Sequence, residues 1–429
     1  MPAERKTKWE NISDKPFVDV RDFGAKGNNV HDDTIFLQFA IDSSPEGSLI
    51  YVPQPPVAYK ITKPLVLRNR RLMGGGMKGT KILQHTPAAD VLIAGGRISI
   101  SDLILGHHET PVGVSVPNGT GIKVDRIMDG STIERIELLH NTCGIYCNEP
   151  VTETINYIFS TTIKDIRFYN FNHAAMDLRG YNGGITGCVL SNLYATNSES
   201  TYGGATYGFY FSSCSEMTAN QLNVEQGRYN MGIVVISCDN FLMNSIHFEG
   251  YTPAQTEKAF FVVDGIHTKV VQINGVTIQT CIFDGDLASN YGILNIGQSP
   301  EVFMNGLVTR DNIRTNGATV RRFIGESSVS KGAAIRARGF KIIDSIVNYG
   351  DLNIDKSALP VLREYNDSRY YWEINEKKNL TGTAAPVRGN WGVGDTVWNT
   401  NPVAGGYLGW VCTAAGTPGT WKAFGLIAT

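Results

Sequence analysis

At 429 residues the chain can bury a large core, either as two or three domains or as one elongated repeat domain. Only 18% of residues are charged, the formal net charge is −2 and no basic run exceeds a few residues, so no nucleic-acid partner is expected. No segment is long and apolar enough to span a membrane, the opening MPAERKTKWE lacks a signal-peptide core, and 46 glycines with 17 prolines favour short strands and turns over a helical bundle.

In chain order, residues 1–16 form a short polar arm. Residues 17–90 carry a capping region and the first coils. The stretch VDVRDFGAKGNNVHDDTIFLQFAIDSSPEGSLIYVPQPPVAYKITKPLVL reads strand, glycine-rich turn, helix, strand. Asp32, Asp33 and Thr34 precede an apolar helical face of Ile35, Phe36, Phe39 and Ala40. One of these acids is therefore expected to cap the helix and oppose its macrodipole rather than to do chemistry. Such a helix would plug the open end of a stack of strands.

From 91 to 350 a short pattern recurs: ISDLILG, IERIELL, IKDIRFY, LSNLYAT, ANQLNVEQG, MNSIHFEGY, INGVTIQ and MNGLVTR. Its second position falls at Ser101, Glu134, Lys164, Ser191, Asn220, Asn244, Asn274 and Asn305, in steps of 24 to 33 residues. Such a period signals a repeat architecture, and the alternation of apolar residues signals half-buried strands. Each repeat is too short for a strand plus a crossover helix, which leaves an all-β parallel β-helix solenoid of stacked coils. Strict alternation puts Asn220, Leu222 and Val224 inside and Gln221, Asn223 and Glu225 outside. The asparagines at 220, 244, 274 and 305 are then expected to form an interior ladder, each amide bonding the next. Cys214 and Cys238 should stack as well. Cys143 and Cys147 have loosely zinc-like spacing but no second ligand pair, so buried thiols are expected and no metal.

Residues 351–379 read as a linker. Residues 380–429 break the coil pattern and hold four of the six tryptophans, Trp391, Trp398, Trp410 and Trp421, among glycine and proline turns. They predict a compact β module whose aromatics serve either a small core or trimer seam, or a sugar-binding face.

The stretches VRDFGAKGNNVHDDTIFLQFAID, IYVPQPPVAYKITKPLVL and LMGGGMKGTKI resemble the opening of the pectate-lyase-like superfamily of right-handed β-helix proteins, which includes many phage tailspikes and polysaccharide depolymerases. The motif match is clear over residues 17–83, and the coil pattern extends it to about 350. The last 50 or so residues look like small C-terminal modules of phage tail fibres and tailspikes. The resemblance implies a right-handed parallel β-helix with an N-terminal helix cap and a C-terminal β module. It further implies a homotrimer on a virion tail, attached through the N-terminal arm, with a bacterial surface polysaccharide as its partner. The fold itself hosts hydrolases, lyases and pure binding proteins.

The candidate chemistry lies on the outward positions. There Glu225, Glu249, Gln279 and Arg310 fall on successive coils, about 4.8 Å apart. Two carboxyls about 5–5.5 Å apart suit a retaining glycosidase, and about 6.5–9.5 Å an inverting one. Like charges this close should raise one pKa and yield a general acid. The bland alternative is a solvated pair on an ordinary outer face. Arg228, Tyr229, His247 and Tyr251 stand nearby in sequence and, with Gln279 and Arg310, are candidate sugar contacts. CIFDGDL adds Asp284 and Asp286 one coil on, on a neighbouring face. The pair matches the layout of some tailspike endoglycosidases, a Glu on one coil and two Asp about one longer coil later. Asp239 is a lesser candidate. The Asn-Thr-Asp, Gly-His-Gly and Arg-Ile-Lys blocks of polygalacturonase-type enzymes are absent. Hydrolysis by Glu249 with Glu225 or one of the two aspartates, needing no cofactor, is the leading expectation. A lyase using Arg310, and a non-catalytic spike, stand as alternatives.

Overall fold

A computed structural model describes residues 16–116, 118–147, 157–180, 184–198, 205–253, 259–264, 270–284, 292–296, 301–310, 313–315, 322–326, 334–342, 361–363, 370–374 and 377–429. Among these residues the chain is nearly all β, with a single α-helix, Thr34–Asp42. Strands from Val18–Asp19 to Ala334–Ile342 pair in parallel with the next coil, which makes a parallel β-helix. The eight repeat markers align in one register column: Ser101, Glu134, Lys164, Ser191, Asn220, Asn244, Asn274 and Asn305. Residues 1–15, and with them nearly all of the arm expected to attach to a virion, lie outside the described residues.

Each strand bends just after its marker. The bend residue takes a left-handed conformation at Asp102, Arg135, Asp165, Asn192, Gln221, Ser245, Gly275 and Gly306, with φ between 50° and 73°. L-residues pay to adopt this conformation, which is why Asn, Asp and Gly dominate the column. Arg135 is the bulky exception, and its guanidinium grips the neighbouring Asp102 through bonds of 2.8 and 2.9 Å. A second corner bends at His140, Asn170, Gln226, Gly250 and Thr280.

The bend also corrects the reading of the asparagines. A left-handed residue breaks the period-two alternation, so the inward positions are Ala219 and Leu222, with Asn220 half-buried between them. The ladder still forms. The side-chain amide of Asn244 donates to Asn220 (2.8 Å), Asn274 to Asn244 (2.9 Å) and Asn305 to Asn274 (2.8 Å). It runs along the corner rather than through the core.

The interior is filled by stacks of like side chains. Leu103, Ile136, Ile166, Leu193, Leu222, Ile246, Val276 and Leu307 form one file, each no more than 1% exposed. Burying each such side chain is worth about 1.5–3 kcal/mol, and stacking lets one coil cover the next. All seven cysteines are buried and none forms a disulfide, and the Cys214 amide approaches the Cys238 sulfur at 3.5 Å.

The helix caps the first coils with a face that is half the one expected: Phe36 and Ala40 pack on the core. Leu37 and Ile41 join them, whereas Ile35 and Phe39 are exposed. Both stripes are apolar, and only packing selects between them. The two acids are structural, as expected, and divide the work. Asp32 accepts from the Thr34 amide (3.0 Å), while Asp33 turns back to the Lys26 and Gly27 amides (2.8 and 2.9 Å).

The C-terminal unit is a separate six-stranded sheet running from Val361–Arg363 to Thr420–Leu426, mostly antiparallel. Its small core holds Leu380, Trp391, Val397 and Cys412, with Trp410 and Trp421 packed against them. Among the described residues no helix is long and apolar enough to cross a membrane.

Candidate active site

The stretch after the bend carries the outward side chains. Two columns matter. In one, Arg167, Tyr194, Asn223, His247 and Thr277 stand in register. In the other, Tyr169, Thr196, Glu225, Glu249, Gln279 and Arg310 do. The backbone therefore sets Glu225 directly beside Glu249 on adjacent coils.

One donor atom from each of Glu225, His247 and Glu249 lies within 4.8 Å of the others. His247 Nε2 sits 3.1 Å from Glu249 Oε2. This bond, ahead of the opposing effect of burial and with help from Gln279 and Thr280, holds the Glu249 carboxyl below its usual range. The rise in pKa expected of one member of the pair does not occur at Glu249, where hydrogen bonds to the carboxyl outweigh burial. Burial, then a hydrogen bond to Glu225, pushes the Tyr194 phenol up, so Tyr194 stays protonated and donates to a Glu225 side-chain oxygen.

Two contiguous hollows run along this face. One, of about 460 Å³, is lined among others by Asp102, Arg135, Arg167, Tyr169 and Tyr194. The other, of about 350 Å³, is lined among others by Asn223, His247 and Thr277, and both touch Asn192. Tyr169 and Tyr194 lie with ring centroids 6.4 Å apart, and Arg167 reaches the Tyr169 hydroxyl at 3.4 Å. From the Asp102 coil to the Gly275 coil is six steps, roughly 29 Å at about 4.8 Å each. A larger cleft of about 830 Å³ at another corner is lined by Arg70, Arg71 and Arg97 with several glycines. The same cleft also holds Asp129 and Glu46, the latter accepting from the Asn69 side-chain amide at 2.9 Å, and it lies apart from the Glu225–Glu249 column.

The other sequence candidates divide. Arg228 is exposed just past Glu225, in register with Thr252. Tyr229 and Tyr251 are not groove residues. Both are fully buried and stacked at 5.4 Å, and the Tyr229 hydroxyl donates to the Glu225 carbonyl at 3.0 Å. The corner at Gln226 and at Gly250 resets the alternation, which turns these two rings inward. Gln279 sits beside Glu249 as expected. Arg310 ends its strand in register with Gln279, and Asp284 ends the strand Ile282–Asp284 beyond the Thr280 corner. The side chains of Arg310 and Asp284, and all of Asp286, lie outside the described residues. Asp239 begins the Asp239–Pro253 strand, at the end opposite the Glu249 corner. Reading the sequence missed Tyr194, Asn223 and Arg167. The repeat alignment carried the signal, since each stands three positions after its marker, as His247 does.

Residues 17–253, more than half of the chain, match the family described as rhamnogalacturonase A/epimerase, pectate lyase-like. The chain belongs to this family. The matched segment of this pectate lyase-like chain contains both Glu225 and Glu249. Among solved structures, Geobacillus virus E2 ORF18 shares the fold at a TM-score of 0.50 and 13% identity, covering 97% of this chain and 78% of that one. The Acinetobacter phage vb_AbaP_AS12 gp42 tailspike gives 0.47 and 11%, covering 96% and 82%. The catalytic unit of a GH87 α-1,3-glucanase from Streptomyces thermodiastaticus gives 0.42 and 14%, covering 73% and 69%. No curated protein sequence matches the chain.

Proposed function

We propose that this protein is a tailspike-type depolymerase that binds a bacterial surface polysaccharide along the groove and hydrolyses it at Glu225 and Glu249. The observation that carries the reading is the approach of the two carboxyls within 4.8 Å on adjacent coils, at the edge of an aromatic and arginine-lined groove. That spacing is closest to the retaining arrangement. Membership of a pectate lyase-like family supports a carbohydrate substrate. The virion setting rests on the sequence resemblance of both chain ends to tailspike proteins and on the source of the Geobacillus virus E2 protein that shares the fold. Assembly as a homotrimer belongs to the same proposal.

The roles follow from the electrostatics. Glu249, kept ionised by His247, attacks the anomeric carbon, and the glycosidic C–O bond breaks. Glu225 delivers the proton to the departing oxygen. Glu225 then takes a proton from water as that water displaces Glu249, so each cut consumes one water. Tyr194 holds Glu225 in place. Asp284, past the next corner, is the alternative proton carrier.

The test is mass spectrometry of fragments after incubation with a panel of capsules and O-antigens. Oligosaccharides heavier by one water per cut support hydrolysis. Unsaturated uronate ends would make the protein a lyase and move attention to Arg310. Intact polymer that co-sediments with the protein would make it a binding spike.

A further inference from the structure

We propose that Glu225, His247 and Glu249 form a binding site for a divalent first-row transition ion of the Zn²⁺ class, and that such an ion shuts off the hydrolytic site. The inference rests on the proposed function for its effect on turnover, but its binding argument stands on the side chains alone.

The donors come from two adjacent coils and converge on one point. Ligand atoms sharing an ion at about 2.0–2.2 Å stand about 3.0–3.5 Å from one another. His247 Nε2 and Glu249 Oε2 are already 3.1 Å apart, and the Glu225 donor is within 4.8 Å of both. To complete a three-ligand site the Glu225 oxygen must close from within 4.8 Å to about 3.0–3.5 Å of the other two. An imidazole with two carboxylates favours Zn²⁺, Co²⁺ or Mn²⁺ over Ca²⁺ or Mg²⁺, which prefer all-oxygen shells. The Tyr194 hydroxyl on Glu225 supplies the outer hydrogen bond that orients a ligating carboxylate.

A second observation points to a further occupant. Thr196 is the residue before Glu225 in the same column. It is only 2% exposed, and its hydroxyl has no hydrogen-bond partner among the described residues. A buried hydroxyl left unbonded is costly, and native structures usually satisfy it with water or a ligand. A water beside Thr196 would supply that partner.

With the ion bound, both carboxylates are committed to metal. Glu249 can no longer attack and Glu225 can no longer pass a proton, so glycan and ion exclude each other.

The experiment titrates metal-free full-length protein with Co²⁺ and follows its visible absorption, with Zn²⁺ as the displacing ion. The expected result is one saturable site per chain and at least about a tenfold loss of affinity in Glu225→Gln, Glu249→Gln and His247→Asn. Asn223 and Thr277 occupy the same outward position on the flanking coils, so asparagine at 247 suits the strand. Circular dichroism and melting without metal check that each variant is folded. Absence of a saturable band, or unchanged affinity in all three folded variants, overturns the inference. Turnover separates it from the proposed function. If metal-free protein cuts glycan and Co²⁺ does not bind, the metal site falls and hydrolysis stands. If Co²⁺ binds and only the loaded protein cuts, the metal site stands, while metal-free hydrolysis and inhibition both fall. Inhibition by Zn²⁺ of at least about tenfold, reversed by a chelator, supports both.

Discussion

Glu249 and Glu225 differ in their neighbours, and that difference predicts different phenotypes. Replacing Glu249 by Gln removes the proposed nucleophile, so every glycoside substrate should lose turnover. Replacing Glu225 by Gln removes the proposed proton donor and should lower kcat by about 10²–10⁴ on native glycan. An aryl glycoside with a leaving group that needs no proton should keep its first step in the Glu225 variant alone. Steady-state kinetics on both substrates checks this, and Asp284→Asn run beside them identifies the carrier if Glu225 is not it. The pH dependence has a definite sign. His247 holds the Glu249 pKa down, so activity that needs ionised Glu249 is lost only as pH falls through that lowered value. His247→Asn releases the hold, and the acid limb of kcat/KM should move to higher pH. An unmoved limb would remove Glu249 from the titrating step. In the sequence the pair was legible because the two Glu share one step of one repeat. Tyr229 and Tyr251 misled because the corner that turns them inward depends on a backbone conformation at Gln226 and Gly250, not on residue type.

At the scale of the coil, the repeat alignment was fully readable. All eight markers chosen from apolar alternation share one structural column. Which side of the strand each marker occupies was not readable. A left-handed residue after the marker shifts the alternation, and Arg135 or Gln221 in that role carries no glycine-like signature. The asparagine ladder still ties the coils together, and its energetics follow position. Asn244 both donates to Asn220 and accepts from Asn274, whereas Asn220 at the ladder's end only accepts from Asn244. Asn244→Ala therefore leaves two half-buried amides without their ladder partner and should cost about 1–3 kcal/mol. Asn220→Ala should cost less. Hydrogen exchange of the amides in residues 218–249 reads the effect coil by coil, which suits a solenoid whose unfolding need not be all-or-none. Equal effects at both positions would mean that the ladder is not a chain of coupled bonds.

For the whole molecule, the question is why a grooved β-helix carries a second, tryptophan-rich unit. The composition left two readings of those rings, and the structure distributes the rings between them. Trp391 is 3% exposed, meets Trp421 edge-on at 5.4 Å and donates from its indole nitrogen to the Arg388 carbonyl at 2.8 Å. Trp398 is 42% exposed and keeps only an edge contact with Phe424, at 5.4 Å. Tyr407 and Leu408 are also exposed, each at 45%. Trp391→Ala should cost the module about 3–5 kcal/mol, visible as a separate early transition on melting while groove turnover on short oligosaccharides persists. Trp398→Ala should leave both transitions in place, because the ring it removes buries little. The expected effect is on binding. An exposed indole is a flat apolar face for a sugar ring, so the Trp398 variant should lose retention on long polymer while cutting short oligosaccharides at the unaltered rate. Retention of polymer equal to wild type would remove the sugar-binding role from this ring. An altered oligomeric state in the same variant would assign the exposed face to contacts between copies of the chain.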